Sequence, residues 1–476
     1  MRREPRQAAY AASAFRQIVN MATMLTTGLR AACSSGRTEA RRERARSLGA
    51  GVTVPAAPLS VRVATVPLVD TDEITLVHQG FPKAKYVRLR VDGGWLRRES
   101  RGSASGTPRQ SAKDYGSPTE AAYALDKETR KRMNDGFVML RDPADAAVGE
   151  PVLVAAAPNR CSSAALDVHP QGHTLVVGTT LKEAYGAEIH LIDVATGVRR
   201  LVHTEPAGER QTFLHAVRFH ADGQGVVYAL NGETRYLDLA DGRSRTLASY
   251  EQWQTADFNP FCLQPSWDRA RRRLLVFDAG NRVRVLDDAG EPLLDLDVAQ
   301  RPECRAGALS PSGRLLALAF GMEPAHVEVW DVDTGRQVQR HRFPFPFPEN
   351  RGSAGCGGVD VLDFDPTERY VIANGGFAEG PFSMALDTGA LAWAVPDPHR
   401  TDRWGTCYAW AFSPDGTRLA VGERGTVVLR DPATGAEAPV PQLHTGTGRA
   451  YRVTYTDAGD LLVCGGDSGR IVVLRA

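Results

Sequence analysis

The chain has no run of eighteen apolar residues, so no membrane-spanning helix is expected. It also lacks GxSxG, P-loop, HExxH and EF-hand spacings, which removes the usual anchors for nucleophilic, phosphate, zinc and calcium chemistry. Cysteine is sparse and scattered: Cys33, Cys161, Cys262, Cys304, Cys356, Cys407 and Cys464 form no CxxC pair and no Cys/His cluster. Cys262 and Cys464 fall inside expected strands, where a free thiol acts as a small buried hydrophobe. A reduced, cytoplasmic compartment is therefore expected. An excess of one charge is missing too. The 57 basic and 56 acidic residues leave +1, a balance that favours neither nucleic acid nor an anionic membrane.

That balance is uneven along the chain. Residues 1–50 carry ten Arg and three acidic residues, a net of +7, which leaves −6 for the remainder. Lysine is scarce, with only six in 476 residues; the Arg excess reads as codon usage in a GC-rich genome rather than as Arg-specific chemistry. The mildly apolar stretch from Phe15 to Leu29 is interrupted by Arg16, Gln17 and Asn20, too polar for the core of an export signal. Residues 1–60 end in Val54-Pro55-Ala56-Ala57-Pro58 and are expected to be a disordered basic tail and linker, or to include residues upstream of a true start at Met21 or Met24.

What is present in quantity is a repeat over residues 150–476. An aromatic or aliphatic residue leads into a polar turn ending in Gly at Val168–Gly172, Phe219–Gly223, Leu309–Gly313, Phe412–Gly416 and Tyr455–Gly459. Two copies lack the Gly, Pro265–Arg269 and Phe364–Arg369, and the seven copies lie 43 to 56 residues apart. A second marker alternates with the first. An Asp leads to a Gly turn after Asp193, Asp238, Asp287, Asp331, Asp387 and Asp431. An acid that recurs once per repeat is structural, since a catalytic acid appears once. Apolar runs between the markers, such as Thr174–Gly178, predict four short antiparallel strands per unit. A sheet of about forty residues cannot bury both faces alone; radial stacking solves this.

Trp330-Asp331 and Phe412-Ser413-Pro414-Asp415-Gly416 resemble the signature dipeptide and turn of WD-repeat proteins. The resemblance implies a seven-bladed β-propeller. The last unit ends at Ile471–Ala476 without a fourth strand, and Pro151–Ala156 precede the first unit as an orphan strand. Pairing the two would close the ring and remove an aggregating edge.

Residues 61–141 show another pattern. Tyr86–Val91 and Trp95–Glu99 alternate as strands about the turn Asp92-Gly93-Gly94, and Lys113–Tyr115 begin or end a third. Ser117, Pro118 and Glu120 start a helix that runs to about Asn134 and stops near Gly136. Tyr86, the loop Arg101–Gly106, Ser117–Ala121 and Lys131–Phe137 resemble a WGR domain. The fold class is thus mainly β: a seven-bladed propeller behind a small α+β WGR-like domain and a disordered tail. In poly(ADP-ribose) polymerases such domains help recognise DNA breaks through their Trp and Arg. Here that tripeptide falls on Glu99-Ser100-Arg101, so only Arg101 remains as a contact, and Glu99 would face phosphate with the wrong sign.

The propeller resemblance places the functional face on loops entering each first strand: Arg160, His215, Trp253, Arg305, Asp360, Trp404, Tyr408 and Tyr451. Exposed aromatics and Arg make binding hot spots, although Trp253 and Trp404 could equally plug gaps between blades. His169 and His220 sit at turns and read as structural. Phe343–Pro348 alternates Phe with Pro, a stiff segment suited to packing on a blade or to presenting Phe to a partner. The expected function is a non-catalytic scaffold for a protein partner, with no cofactor, no metal and no membrane. Nucleic-acid binding through the WGR-like module and basic tail is one alternative. A propeller enzyme with a channel metal is another, for which only His215 and Asp360 offer ligands.

Overall fold

The computed structural model describes residues 73–79, 84–103, 105–157, 165–180, 186–206, 214–230, 232–249, 264–278, 281–299, 304–320, 325–343, 359–375, 381–395, 409–422, 424–438, 443–466 and 469–476. The expected tail and linker, residues 1–60, lie outside them.

The first sheet holds β1 (Glu73–His78), β2 (Lys85–Asp92), β3 (Trp95–Arg101) and β4 (Arg109–Asp114), antiparallel in chain order. β2 alternates strictly: Val87, Leu89 and Val91 are buried while Arg88 and Arg90 face solvent. The helix Pro118–Asn134 covers the buried face with Ala121, Ala124 and Met133. Its start follows from local chemistry: Ser117 Oγ accepts the Glu120 N–H at 3.2 Å, and Pro118 needs no donor there. Two strands were not anticipated from sequence. One is β1. The other is β5 (Met139–Leu140), which pairs not with the first sheet but with β6 (Pro151–Ala156).

Five four-stranded antiparallel sheets follow. They are β7 (Ala165–Val168), β8 (Thr174–Thr180), β9 (Ala187–Asp193) and β10 (Arg199–Glu205); then β11 (Ala216–Phe219), β12 (Gly225–Leu230), β13 (Glu233–Asp238) and β14 (Ser244–Ser249). Next are β15 (Ser266–Trp267), β16 (Leu274–Asp278), β17 (Arg282–Leu286) and β18 (Pro292–Asp297); then β19 (Cys304–Leu309), β20 (Leu315–Phe320), β21 (His326–Asp331) and β22 (Arg336–Arg342). The fifth is β23 (Val359–Phe364), β24 (Tyr370–Gly375), β25 (Phe382–Ala385) and β26 (Leu391–Ala394). The last sheet runs β27 (Trp410–Phe412), β28 (Leu419–Gly422), β29 (Arg424–Arg430), β30 (Leu443–Tyr455), β31 (Leu461–Gly466), β32 (Arg470–Arg475), β6, β5.

Burial grades across each sheet. Second strands such as β12 and β20 are buried at every position, and fourth strands such as β22 are mostly exposed. The first strands touch from sheet to sheet, β7 with β11, β15 with β19, β19 with β23, and β30 back to β7. In the eight-stranded sheet β30 is shared: Leu443, His444 and Arg449 pair with β29, and Ala450–Tyr455 pair with β31. Beyond it β32 pairs antiparallel with β6, Ile471 opposite Ala155 and Val472 opposite Val154.

The turns obey one rule with two departures. The N–H of Gly172, Gly223, Gly313, Gly416 and Gly459 returns to the carbonyl three residues earlier, each at positive φ. At Gly223 (φ 67°) an added Cβ would also lie 2.0 Å from His169 Nε2, so the ring of His169 caps the next sheet's turn. This fits the structural role expected of His169. In the two Gly-less copies the left-handed residue is Arg271 (φ 54°) and Glu368 (φ 58°), not the Arg269 and Arg369 read from spacing. Asp193, Asp331 and Asp431 each accept the backbone N–H and hydroxyl of the Thr three residues on, between 2.6 and 2.9 Å. In the fifth sheet Ala385 takes that position, since Gly389 N–H returns to Ala385 O; Asp387 is not the turn acid.

Candidate functional site at the axis

Among the described residues, two buried charged side chains, Asp167 and Arg218, lie on first strands. Asp167, Arg218 and Asp363 each stand one residue before the end of a first strand, with apolar neighbours on both sides. Arg452 lies on the β31-paired part of β30, and Arg271 comes from the turn after β15. Asp167 feels the charge of Arg271, Arg218 and Arg452, and Asp363 that of Arg452, Arg218 and Asp365, so groups from five separate sheet units influence one another.

One half of this cluster is a closed staple. Arg271 Nη1 donates to Asp167 Oδ2 at 2.7 Å and to Phe219 O at 2.8 Å, and Nη2 donates to Val168 O at 3.3 Å. The Phe219 N–H also donates to Asp167 Oδ2, at 2.8 Å. Asp167 is 3% exposed. Burial opposes its ionisation, but Arg271 and Arg218 outweigh that and hold the carboxyl below its ordinary value. The left-handed backbone of Arg271 costs about 1–2 kcal/mol, and the staple explains why a side chain stands where other turns use Gly.

The other half is open. Arg218 donates to Leu166 O at 3.3 Å, to Val217 O at 2.8 Å and to Gln264 Oε1 at 3.3 Å, and among the described residues it closes on no carboxylate. Burial pushes it down to about 9, still cationic at neutral pH. Arg452 Nε is buried with no hydrogen-bond partner. Asp363 accepts the Phe364 N–H, at 2.8 Å, and burial pushes its carboxyl up to about 6.

A second network lies between the first two repeat sheets. Tyr228 donates to Glu205 Oε1 at 2.5 Å, His203 Nε2 lies 3.0 Å from the same oxygen, and Arg235 Nη1 donates to both carboxylate oxygens at 3.2 and 3.1 Å. Burial alone would raise Glu205; the hydrogen bonds from His203 and Tyr228 and the charge of Arg235 win and hold it at about 2. The carboxylate is saturated by donors and fixes one sheet to the next.

Of the rim residues expected from sequence, His215 is fully buried and does not face a partner; its N–H donates to Ala229 O at 3.1 Å, tying it to β12. This corrects its placement on the rim: Leu214 and His215, just before β11, are both buried. Arg305, Asp360 and Tyr451 fall in β19, β23 and β30. Arg160, Trp253, Trp404 and Tyr408 lie outside the described residues. Arg101 ends β3, where its Nε donates to Glu99 Oε1 at 2.7 Å. Phe343 is buried and packs edge-on against Phe382 with centroids 5.9 Å apart, the packing role of the two weighed; residues 344–348 lie outside the described residues. No group of three His, Cys, Asp or Glu among the described residues could hold a metal ion, and no helix is long and apolar enough to cross a membrane. The sequence reading missed the axial cluster. Its available signal was a charge set between two apolar residues just before the turn, as in Leu166-Asp167-Val168, Val217-Arg218-Phe219 and Leu362-Asp363-Phe364.

Stacked four-stranded antiparallel sheets meeting through their first strands define a β-propeller. Among solved structures, a chain of the mitotic checkpoint complex matches with a TM-score of 0.51 at 16% identity, covering 69% of this chain and 95% of that one. No protein-family model matches, and no curated protein does. At this identity the likeness speaks to fold alone.

Proposed function

We propose that this protein is a non-catalytic scaffold whose propeller docks a protein partner through its rim loops. The propeller is read as seven-bladed: five four-stranded sheets, two further blades sharing β30, and β6 as the last strand of the seventh. The observation that carries the scaffold reading is how the polar residues of the repeats are used. The turn acids Asp193, Asp331 and Asp431 and the core acids Asp167 and Glu205 are all committed to holding the fold. The structural neighbour is itself part of a protein complex.

The N-terminal module is read as a WGR-like domain offering a second surface. Its Arg101 is engaged by Glu99, which lowers its worth as a phosphate contact and disfavours the nucleic-acid alternative. The test is affinity capture of the full chain with crosslinking, beside the double variant Trp404→Ala, Tyr451→Ala. The expected result is a specific partner retained by the wild type and lost with the rim variant while far-UV circular dichroism is unchanged. Equal retention by both chains, or no partner above an unrelated propeller, overturns the proposal.

A further inference from the structure

A pocket of about 100 Å³ opens where the N-terminal module meets the propeller. Its wall is drawn from the end of β1, the segment after the helix, β6, and the turn between β9 and β10. The segment after the helix is held from both sides. Val77 and Val138 exchange N–H···O bonds at 2.8 Å, and a Cβ added at Gly197 (φ 68°) would lie 2.4 Å from Val138 Cγ2. Phe137, Val138 and Ile192 are buried and give the pocket an apolar side. Burial and the charge of Lys85 hold His78 below its ordinary value, so that ring is an uncharged wall at neutral pH. No carboxylate lines the pocket, and its charge is that of Arg199. Arg199 Nη1 donates to Ala156 O at 3.2 Å; among the described residues its other guanidinium N–H groups meet no acceptor. Glu188, whose charge reaches Arg199, is itself paired with His190 at 2.9 Å.

We infer that this pocket binds a small carboxylate with a short apolar tail, the tail against Phe137 and Val138 and the carboxylate on Arg199. A few placed polar groups beside an apolar wall are what fix such a ligand's orientation. A guanidinium anchored through one nitrogen keeps donors in its plane for carboxylate oxygens, the acceptors it binds most strongly. A bare inorganic anion would leave the apolar side unused, and a neutral molecule would leave the donors of Arg199 unmet. The space suits roughly six to eight non-hydrogen atoms, the size of butyrate or of a peptide's last residue. Because the wall comes from both the module and the propeller, an occupant ties one to the other. This inference concerns a small ligand and stands apart from the scaffold reading, which turns on the rim.

The test is ligand-observed NMR titration of the full chain at low ionic strength, where screening is weak. One arm uses butyrate, a second an N-acetylated dipeptide ending in valine with a free carboxylate, and a third butyramide, which has the shape of butyrate without its charge. Saturable binding of butyrate or the peptide is expected, and the tighter of the two identifies the source of the carboxylate. Hydrogen exchange should slow on binding at Gly136–Val138 and Gly197–Arg199. Arg199→Gln should weaken binding at least tenfold, roughly one charge-assisted contact. Gln79→Glu, at an exposed position on the pocket wall, places a like charge beside the ligand and should weaken it about threefold. Absence of saturable binding of both carboxylates overturns the inference, as does butyramide binding as tightly as butyrate or unchanged affinity in Arg199→Gln. Should that variant fail to fold, Gln79→Glu decides: weaker binding supports the site, and unchanged or tighter binding overturns it.

Discussion

Replacing Arg271 by Ala tests the logic of the axial staple. The substitution removes the donors at 2.7, 2.8 and 3.3 Å from Asp167, Phe219 O and Val168 O. Asp167, 3% exposed in the intact protein, keeps the Phe219 N–H as a hydrogen bond. Breaking one partner of a buried pair costs about 3–5 kcal/mol, expected here, in a propeller of more than 300 residues, as a fall in Tm of roughly 4–7 °C. Ala at φ 54° still bears the left-handed strain. Arg271→Gly relieves it and should be about 1 kcal/mol less damaging. Adding Asp167→Asn to Arg271→Ala neutralises the stranded charge and should return much of the loss, a coupling that a double-mutant cycle reads directly. Acidification should have the same effect. Without Arg271 burial dominates at Asp167, its folded carboxyl moves upward, and the penalty present at neutral pH fades as pH falls and the group protonates. Urea unfolding followed by tryptophan fluorescence, with thermal scans at pH 7 and pH 4, measures each step. A loss under about 1 kcal/mol for Arg271→Ala, or no recovery with Asp167→Asn, refutes the reasoning.

Glu205→Gln should flatten the acid limb of the stability curve. The folded carboxyl sits at about 2 against an ordinary 4.5, so its contribution is complete above about 4.5 and lost as pH falls through about 2; unfolding scans between these values in wild type and variant measure it, and superimposed acid limbs count against the network. Leu153→Ala, at a fully buried position in β6, should cost about 2–5 kcal/mol, and hydrogen exchange should rise first in β6 and β32. Loss of protection spread evenly over all sheets would contradict a closure held locally by that strand.

The repeat was legible because turn chemistry is local. Gly at a left-handed position and Asp with a Thr three residues later are needed whatever the rest of the chain does, so Gly172, Asp193 and Asp431 announce themselves. The same local rule misplaced the Gly-less turns: where Arg271 and Glu368 stand in for Gly, the missing signal shifted the reading to Arg269 and Arg369. Glu368 earns its place as Arg271 does, through side-chain contacts to a neighbouring sheet, with Ser312 N and Oγ as donors at 2.5 and 2.9 Å. The helix start at Ser117 was equally readable. By contrast β5 has only two residues, too few for any period, and its pairing with β6 is decided by the sheet it joins. The axial cluster was illegible for a different reason: its members are separated by whole sheets and meet only when the first strands converge. His215 was misread because the residue just before β11 looks like a loop position in sequence and is buried in space.

The pairing of β6 with β32 also governs the order in which the molecule can be completed. Pro151–Ala156 leaves the ribosome roughly three hundred residues before Arg470–Arg475. Until then one flank of β6 is unclaimed while the other is already taken by Met139–Leu140. Met139–Leu140 precedes β6 in the chain, so the strand that covers this flank in the folded protein is synthesised before it. A propeller expressed from about residue 150 onward would enter the cell with that strand missing, and aggregation during production, rather than loss of any finished contact, is what its maker would meet first.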